Sequence, residues 1–269
     1  MADRLFRFGV VAGMTPDADQ WTALARRAED LGYATFLTPD TLTTLPPLLS
    51  LSAAAAATTS IGLGTFVLAA PYRRPEQLAW EIAGLTFLSG GRFELGVGAG
   101  RPDAREEAAR LGMPFGTPDQ RIRQLEEVLR HVGKWPGPRP RVLIAAAGAR
   151  MLGFAARNAD TVALALGAST PEDALADPVR LIRQASDDFD AVELSTGLHL
   201  VGDEPPPPWL AAQLGAGVPE DSIAVLKGTP RQMADRLLRR RDEHQISYIT
   251  VNAMYADRLA PVVELLAGR

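Results

Sequence analysis

The residues able to do chemistry in this chain are few, and most sit where an apolar run gives way to a loop of small residues. There is no cysteine, which removes disulfides, thiolate catalysis and cysteine-bound metal. No two of the three histidines, His131, His199 and His244, stand at helical ligand spacing, so no metal centre is expected. One carboxylate and three permissive loops remain. Asp40 follows an apolar run in FLTPDTL, a position that suits either ligand contact or the capping of a turn. Thr41 beside it offers a hydroxyl, which can donate a hydrogen bond but is no general acid near neutral pH. Gly64-Thr65-Phe66-Val67 closes a second run. Gly96-Val97-Gly98-Ala99-Gly100 closes a third. It lacks the last glycine and the following acid of a dinucleotide fingerprint, and reads better as backbone that lies close to a flat ring. Ala145-Ala146-Ala147-Gly148-Ala149-Arg150 ends a fourth run and opens a helix. There backbone N–H groups, the helix dipole and Arg150 together suit a phosphate. Arg73 and Arg74 in APYRRPEQ either meet an anion or cap their loop. Arg101 is the one new charge after the glycines, suited to an anionic tail or substrate.

Elements of two kinds must position these groups. Short apolar runs at Phe6–Ala12, Ala34–Leu37, Ile61–Thr65, Phe93–Val97, Val142–Ala146, Thr161–Leu164, Leu194–Val201 and Tyr248–Asn252 are continuous rather than alternating. That is the pattern of strands covered on both faces, as in a parallel sheet. Between them, helical periodicity predicts Asp17–Leu31 with Trp21, Leu24, Ala28 and Leu31 inward, stopping at Gly32. It also predicts Pro75–Leu88, then Thr117–Val132 with Thr117 as N-cap and Ile122, Leu125 and Leu129 inward. Arg150–Ala159, Pro230–Glu243 and Arg258–Ala267 complete the set. Eight βα units predict the α/β class and a single (β/α)8 TIM barrel spanning residues 1–269 as one domain. The proline-rich stretches Lys134–Arg141 and Gly202–Trp209 read as stiff connections inside it.

Composition narrows the partners. The chain has 269 residues, 46% of them hydrophobic and 22% charged, with a net charge of −4. That balance suits a globular protein and argues against nucleic acid, which asks for a basic surface. The most apolar stretch, Leu45–Ala57, contains prolines and falls short of the roughly 20 residues that span a bilayer. The N-terminal residues enter a strand directly, without a signal-peptide layout. A cytoplasmic protein acting on a small molecule is therefore expected, with no membrane partner.

The segments GTFVLAAPYRRP (Gly64–Pro75) and LSGGRFELGVGAG (Leu88–Gly100) resemble the bacterial luciferase-like oxidoreductases, most of all their F420-dependent branch. So do the closing units KGTPRQMADRL and YITVNAMYADRLAPVVELLAG, which follow in the family's order. The resemblance implies an F420-dependent oxidoreductase moving hydride between the deazaflavin and a small organic or natural-product substrate. An FMN-dependent monooxygenase is the alternative, and a degenerate barrel with a ligand-binding or non-redox role is the third. It implies a bulge with a cis peptide at Phe66–Val67 behind the cofactor ring, with Gly98, Ala99 and Arg101 beside it. It assigns the cofactor phosphate to Ala146, Ala147, Gly148 and Arg150. Asp40 and Thr41 become the catalytic pair, where relatives carry Pro-Asp-His. Thr41 thus stands in the histidine position, and Ala99 where relatives often place glutamate or tryptophan. The proton then comes from water, from Thr41 as a relay, or from the substrate. A homodimer is also implied, with the apolar Leu45–Ala57 and Leu78–Leu88 segments as its face.

Overall fold

The computed structural model describes residues 4–214 and 218–269. The strands are β1 (Arg7–Val11), β2 (Thr35–Thr38), β3 (Gly62–Thr65), β4 (Phe93–Gly98), β5 (Arg141–Ala146), β6 (Thr161–Leu164), β7 (Glu193–Leu198) and β8 (Ile246–Asn252). The helices that follow them in turn are α1 (Ala18–Asp30), α2 (Pro47–Ala57), α3 (Pro75–Leu88), α4 (Pro118–Lys134), α5 (Gly148–Asn158), α6 (Ala176–Ala185), α7 (Pro230–His244) and α8 (Ala256–Leu266). Contacts divide the chain into two compact units. One holds β1, Asp30–Ala34 and Ala146–Arg269, and the other Ala12–Glu29 and Thr35–Ala145. In the first, β1 pairs with β8 (Arg7 opposite Tyr248), β8 with β7 (Thr250 opposite Gly197) and β7 with β6 (Glu193 opposite Thr161). In the second, β2 pairs with β3 (Thr35 opposite Gly62), β3 with β4 (Leu63 opposite Phe93) and β4 with β5 (Glu94 opposite Arg141). All these ladders are parallel, and the fold is the (β/α)8 barrel that the eight apolar runs predict.

Three details differ from the sequence reading. The run Leu194–Val201 is not one strand. The N–H groups of His199 and Leu200 both donate to the Ala224 carbonyl, at 2.8 and 3.0 Å, and the chain turns aside there. Leu200–Val201 then pairs with Val225–Leu226 as a separate two-stranded sheet. α5 starts at Gly148, two residues before the expected Arg150. The buried face of α1 is Trp21, Ala25 and Ala28, with Leu24 and Leu31 only half-buried. Trp21 sets that rotation: its indole N–H donates to the Ser50 carbonyl at 2.8 Å and its ring packs edge-on against Phe36. α4 is likewise turned, burying Leu125, Val128 and Val132 rather than Ile122 and Leu129. Its Thr117 cap forms as expected, in a capping box with Gln120.

Two charged side chains fix the entry to β3. Glu29 Oε1 accepts the N–H groups of Ser60 (2.5 Å) and Ile61 (2.9 Å) and the Ser60 hydroxyl (2.8 Å). Arg92 donates to the carbonyls of Ala55 (2.9 Å), Thr58 (3.2 Å) and Ile61 (2.8 Å), which satisfies the last turn of α2. Partial burial pushes the Glu29 carboxyl up, but the N–H groups of Ser60, Ile61 and Thr59 and the Ser60 hydroxyl outweigh it and bring its pKa down to about 2. A depressed carboxyl pKa stabilises the fold above the unfolded value, about 4.3, and the gain disappears as pH falls through the folded value. Glu29→Gln is thus expected to melt below the parent at neutral pH, the gap closing on acidification toward pH 2. Melting temperatures recorded across that range check this, and a gap that stays constant with pH sinks it.

Candidate functional site

The bulge after β3 is the best-defined feature of the region that sequence singled out. Gly64 stands opposite Glu94 and Leu68 opposite Val97, so four residues of one strand face three of the other. Within the extra length the Phe66–Val67 peptide is cis, where the resemblance places it. Thr65 fills the gap in the ladder with its side chain. Its hydroxyl accepts the Gly96 N–H at 3.0 Å and donates to the Gly96 carbonyl at 2.6 Å, leaving neither buried group unpaired. The Phe66 N–H donates to the Thr38 carbonyl at 2.7 Å. A Cβ on Gly96 would lie 1.7 Å from the Thr65 carbonyl oxygen, so this glycine serves the bulge itself. Val67 lies over both glycines of β4, its methyls 3.1 and 3.2 Å from where Cβ atoms of Gly96 and Gly98 would be. The result is an apolar face made of one valine and bare backbone.

Asp40 is fully engaged. Its Oδ2 accepts the Ala69 N–H at 2.9 Å, and Arg73 grips both oxygens, at 2.6 and 2.8 Å. The Asp40 side chain is only 6% exposed. Sequence left Arg73 open between an anion and a loop cap, and the structure pairs it with Asp40. Whatever Asp40 contributes acts through the Ala69–Arg73 segment that it anchors. Thr41 stays half-exposed in a threonine-rich turn, its hydroxyl 3.0 Å from that of Thr43 and 3.3 Å from that of Thr44.

The loop after β4 carries Ala99 and Arg101 into the short helix Arg105–Arg110. Arg101 is balanced by Asp103 (3.7 Å) and Glu107 (3.5 Å). Buried Tyr72 donates its hydroxyl to Glu107, and burial followed by that carboxylate raises the phenol pKa, so Tyr72 keeps its proton. Arg121 of α4 donates Nε to the Ala99 carbonyl at 3.0 Å and holds the glycine loop from below. Sequence reading missed Thr65, Tyr72, Glu107 and Arg121. Each works through a partner at least 22 residues away, beyond the reach of periodicity.

The other unit holds the Ala146–Arg150 segment. Ala146 is buried, and Ala147, Gly148 and Arg150 are exposed. Ala147, the N-cap of α5, supplies no side-chain cap, whereas α4 and α7 both open with a Thr–Gln capping box. The first N–H groups of α5 therefore have no side-chain acceptor at their cap, the arrangement that suits an anion. Gly148 has φ of +69°, and a Cβ there would meet nothing within 4 Å. Among the described residues no three His, Cys, Asp or Glu side chains gather as a metal site, and no helix is long and apolar enough to cross a membrane.

A model of the luciferase-like monooxygenase family matches residues 5–206. An uncharacterized protein of Mycobacterium tuberculosis (strain H37Rv) is 29% identical over 272 aligned positions, covering 83% of this chain and 90% of that protein. Among solved structures, the coenzyme F420 dependent tetrahydromethanopterin reductase of Methanopyrus kandleri superposes with a TM-score of 0.76 at 18% identity, covering 98% of this chain and 99% of that one. The monooxygenase RslO1 of Streptomyces bottropensis gives a TM-score of 0.70 at 21% identity, with 96% and 97% covered.

Proposed function

This chain belongs to the luciferase-like monooxygenase family, and from that premise we propose that it is an F420-binding oxidoreductase, one domain over residues 1–269, acting on a small organic molecule. The observation that carries the reading is the Phe66–Val67 bulge, whose Val67 face over Gly96 and Gly98 is flat, apolar and free of charged side chains. Those residues fit a planar ring. Gly98 and Ala99 are assigned to its edge. Ala146, Ala147, Gly148 and Arg150 are assigned to the cofactor phosphate, which the uncapped start of α5 suits. When bound, F420 supplies hydride transfer, and the protein supplies position and proton management. Asp40 acts as a positioning residue, holding the Ala69–Arg73 segment that follows the bulge. The linked hydroxyls of Thr41, Thr43 and Thr44 offer a relay for a proton from water, since position 41 has no imidazole and position 99 no carboxylate. The likeness to RslO1 favours one second reading, an FMN-dependent monooxygenase.

Titration of the purified chain with F420 and with FMN tests both readings. Saturable F420 binding, much weaker for FMN, is expected. It should weaken in Gly148→Val, which places a side chain in the open space before α5. FMN binding without F420 binding selects the second reading, and a protein that binds neither overturns both.

We propose further that the working form is a homodimer. The outward faces of α2 and α3 carry Leu49, Trp80, Phe87 and Leu88, all well exposed and Phe87 84% so. Such an uncharged patch on two helices hydrophobic all round fits a second copy. Sedimentation should give a dimer for the parent at micromolar concentration and a monomer for Phe87→Glu. A monomeric parent removes the claim.

A further inference from the structure

Two arginines beside the glycine loop carry charge that the protein does not balance. Arg121 Cζ stands 4.4 Å from the centre of the Phe115 ring and Arg105 Cζ 5.4 Å from the same centre. Phe115 is buried, so the ring brings both guanidinium groups to one spot. Among the described residues neither arginine has an ion-pair partner. The acids close by are committed: Asp103 and Glu107 to Arg101, and Glu107 also to Tyr72. Arg121 spends Nε on the Ala99 carbonyl and Nη1 on the Gly116 carbonyl (3.3 Å). Its Nη2 and the whole Arg105 guanidinium donate to no described residue. Burial, and then the Arg105 charge, lower the Arg121 pKa. Arg121 also sits in the opening of α4, where the helix dipole is itself positive. Folding gains nothing from placing a second cation here, and local conflicts of this kind mark places where a ligand completes the balance.

We propose that Arg105 and Arg121, joined through Phe115, form an anion subsite that takes a carboxylate group at the edge of the Gly98–Arg101 loop. Guanidinium forks with unused N–H pairs match a carboxylate geometrically as well as in charge. On the proposed function, on which this part of the inference rests, that carboxylate belongs either to the acidic tail of F420 or to the substrate. The subsite itself does not depend on which.

The clean variant is Arg105→Gln, because Arg105 makes no hydrogen bond that folding needs. Melting of the full chain is followed with low-millimolar citrate and with sodium chloride of equal ionic strength. Without citrate, Arg105→Gln is expected to melt above the parent, since a repulsion has been removed. Citrate should raise the parent's melting temperature more than sodium chloride does, and that excess should vanish in the variant. A variant that melts below the parent, or an equal effect of citrate and chloride on the parent, or an undiminished citrate effect in the variant, overturns the subsite. F420 and its tail-less deazaflavin riboside are then titrated onto both proteins. An F420 affinity about tenfold weaker in the variant, with the riboside unchanged, identifies the cofactor tail as the carboxylate. Equal F420 affinities identify the substrate. If no deazaflavin binds, the proposed function fails while the citrate result still stands.

Discussion

Gly96→Ala is expected to yield little or no folded protein. The added Cβ would meet the Thr65 carbonyl oxygen at 1.7 Å and its carbon at 2.8 Å, both backbone atoms of a neighbouring strand. No rotamer change relieves such a contact, and moving Thr65 breaks the two hydrogen bonds by which its hydroxyl closes the ladder. Overpacking of a core usually costs about 1–3 kcal/mol. Here the buried Gly96 N–H and carbonyl also lose their partner, at about 1–3 kcal/mol each. Gly84→Ala is the control. It lies on exposed α3 with nothing within 4 Å of its Cβ, and should gain about 0.5–1 kcal/mol of helix propensity. Soluble yield and thermal melting of both variants decide the matter. A Gly96→Ala protein melting within a few degrees of the parent would show that the bulge is more pliable than its geometry implies.

Asp40→Asn should cost stability first, and activity through it. Breaking a buried ion pair from one side typically costs about 3–5 kcal/mol, because the remaining charge is stranded. Arg73 is 22% exposed, so water recovers part of that, and about 2–3 kcal/mol is expected. For a chain of this size that is a fall of about 4–12 °C in Tm. The double variant Asp40→Leu with Arg73→Met should melt closer to the parent than Asp40→Asn does, since it strands no charge. An Asp40→Asn protein with unchanged Tm and lost cofactor binding would instead make Asp40 a direct ligand group.

The sequence showed the barrel more clearly than the site. Thr161–Leu164 and Pro75–Leu88 have the predicted bounds, and the other strands lie within two residues of theirs except the split seventh. Continuous apolar runs ended by glycine or proline leave few alternatives for a strand between covering helices. The same rule failed at His199. Apolar character continues there across a turn made by two backbone N–H groups sharing the Ala224 carbonyl, which composition does not register. Trp21 shows a second limit. Periodicity locates a helix face only to within one residue's rotation, and the bond from the indole to Ser50 decides the remainder. At the site, the cis Phe66–Val67 peptide was legible only by resemblance. The Asp40–Arg73 and Thr65–Gly96 pairs, 33 and 31 residues apart, were not legible at all. Nor was the difference between Arg101, which is balanced, and Arg105 and Arg121, which are not. Charge counts show how many cations a loop carries, but not which of them find acids.

The departure of the chain after Leu198 has a consequence for how this protein can vary. Leu200 lies opposite Val225 and Val201 opposite Leu226, so the whole excursion leaves and returns through one pair of short, mutually bonded stems. Arg258 of α8 fastens the outgoing stem by donating to the Val201 carbonyl at 3.1 Å. A segment closed off in this way is a cassette. Doubling its length adds only about 0.6 kcal/mol of closure entropy, provided the stems are kept. Segments from other barrels can therefore be grafted between Val201 and Val225 to diversify the enzyme while β7 and β8 keep their register. Inherited change in length should collect there as well, leaving the strand ends that carry the bulge and the uncapped helix untouched.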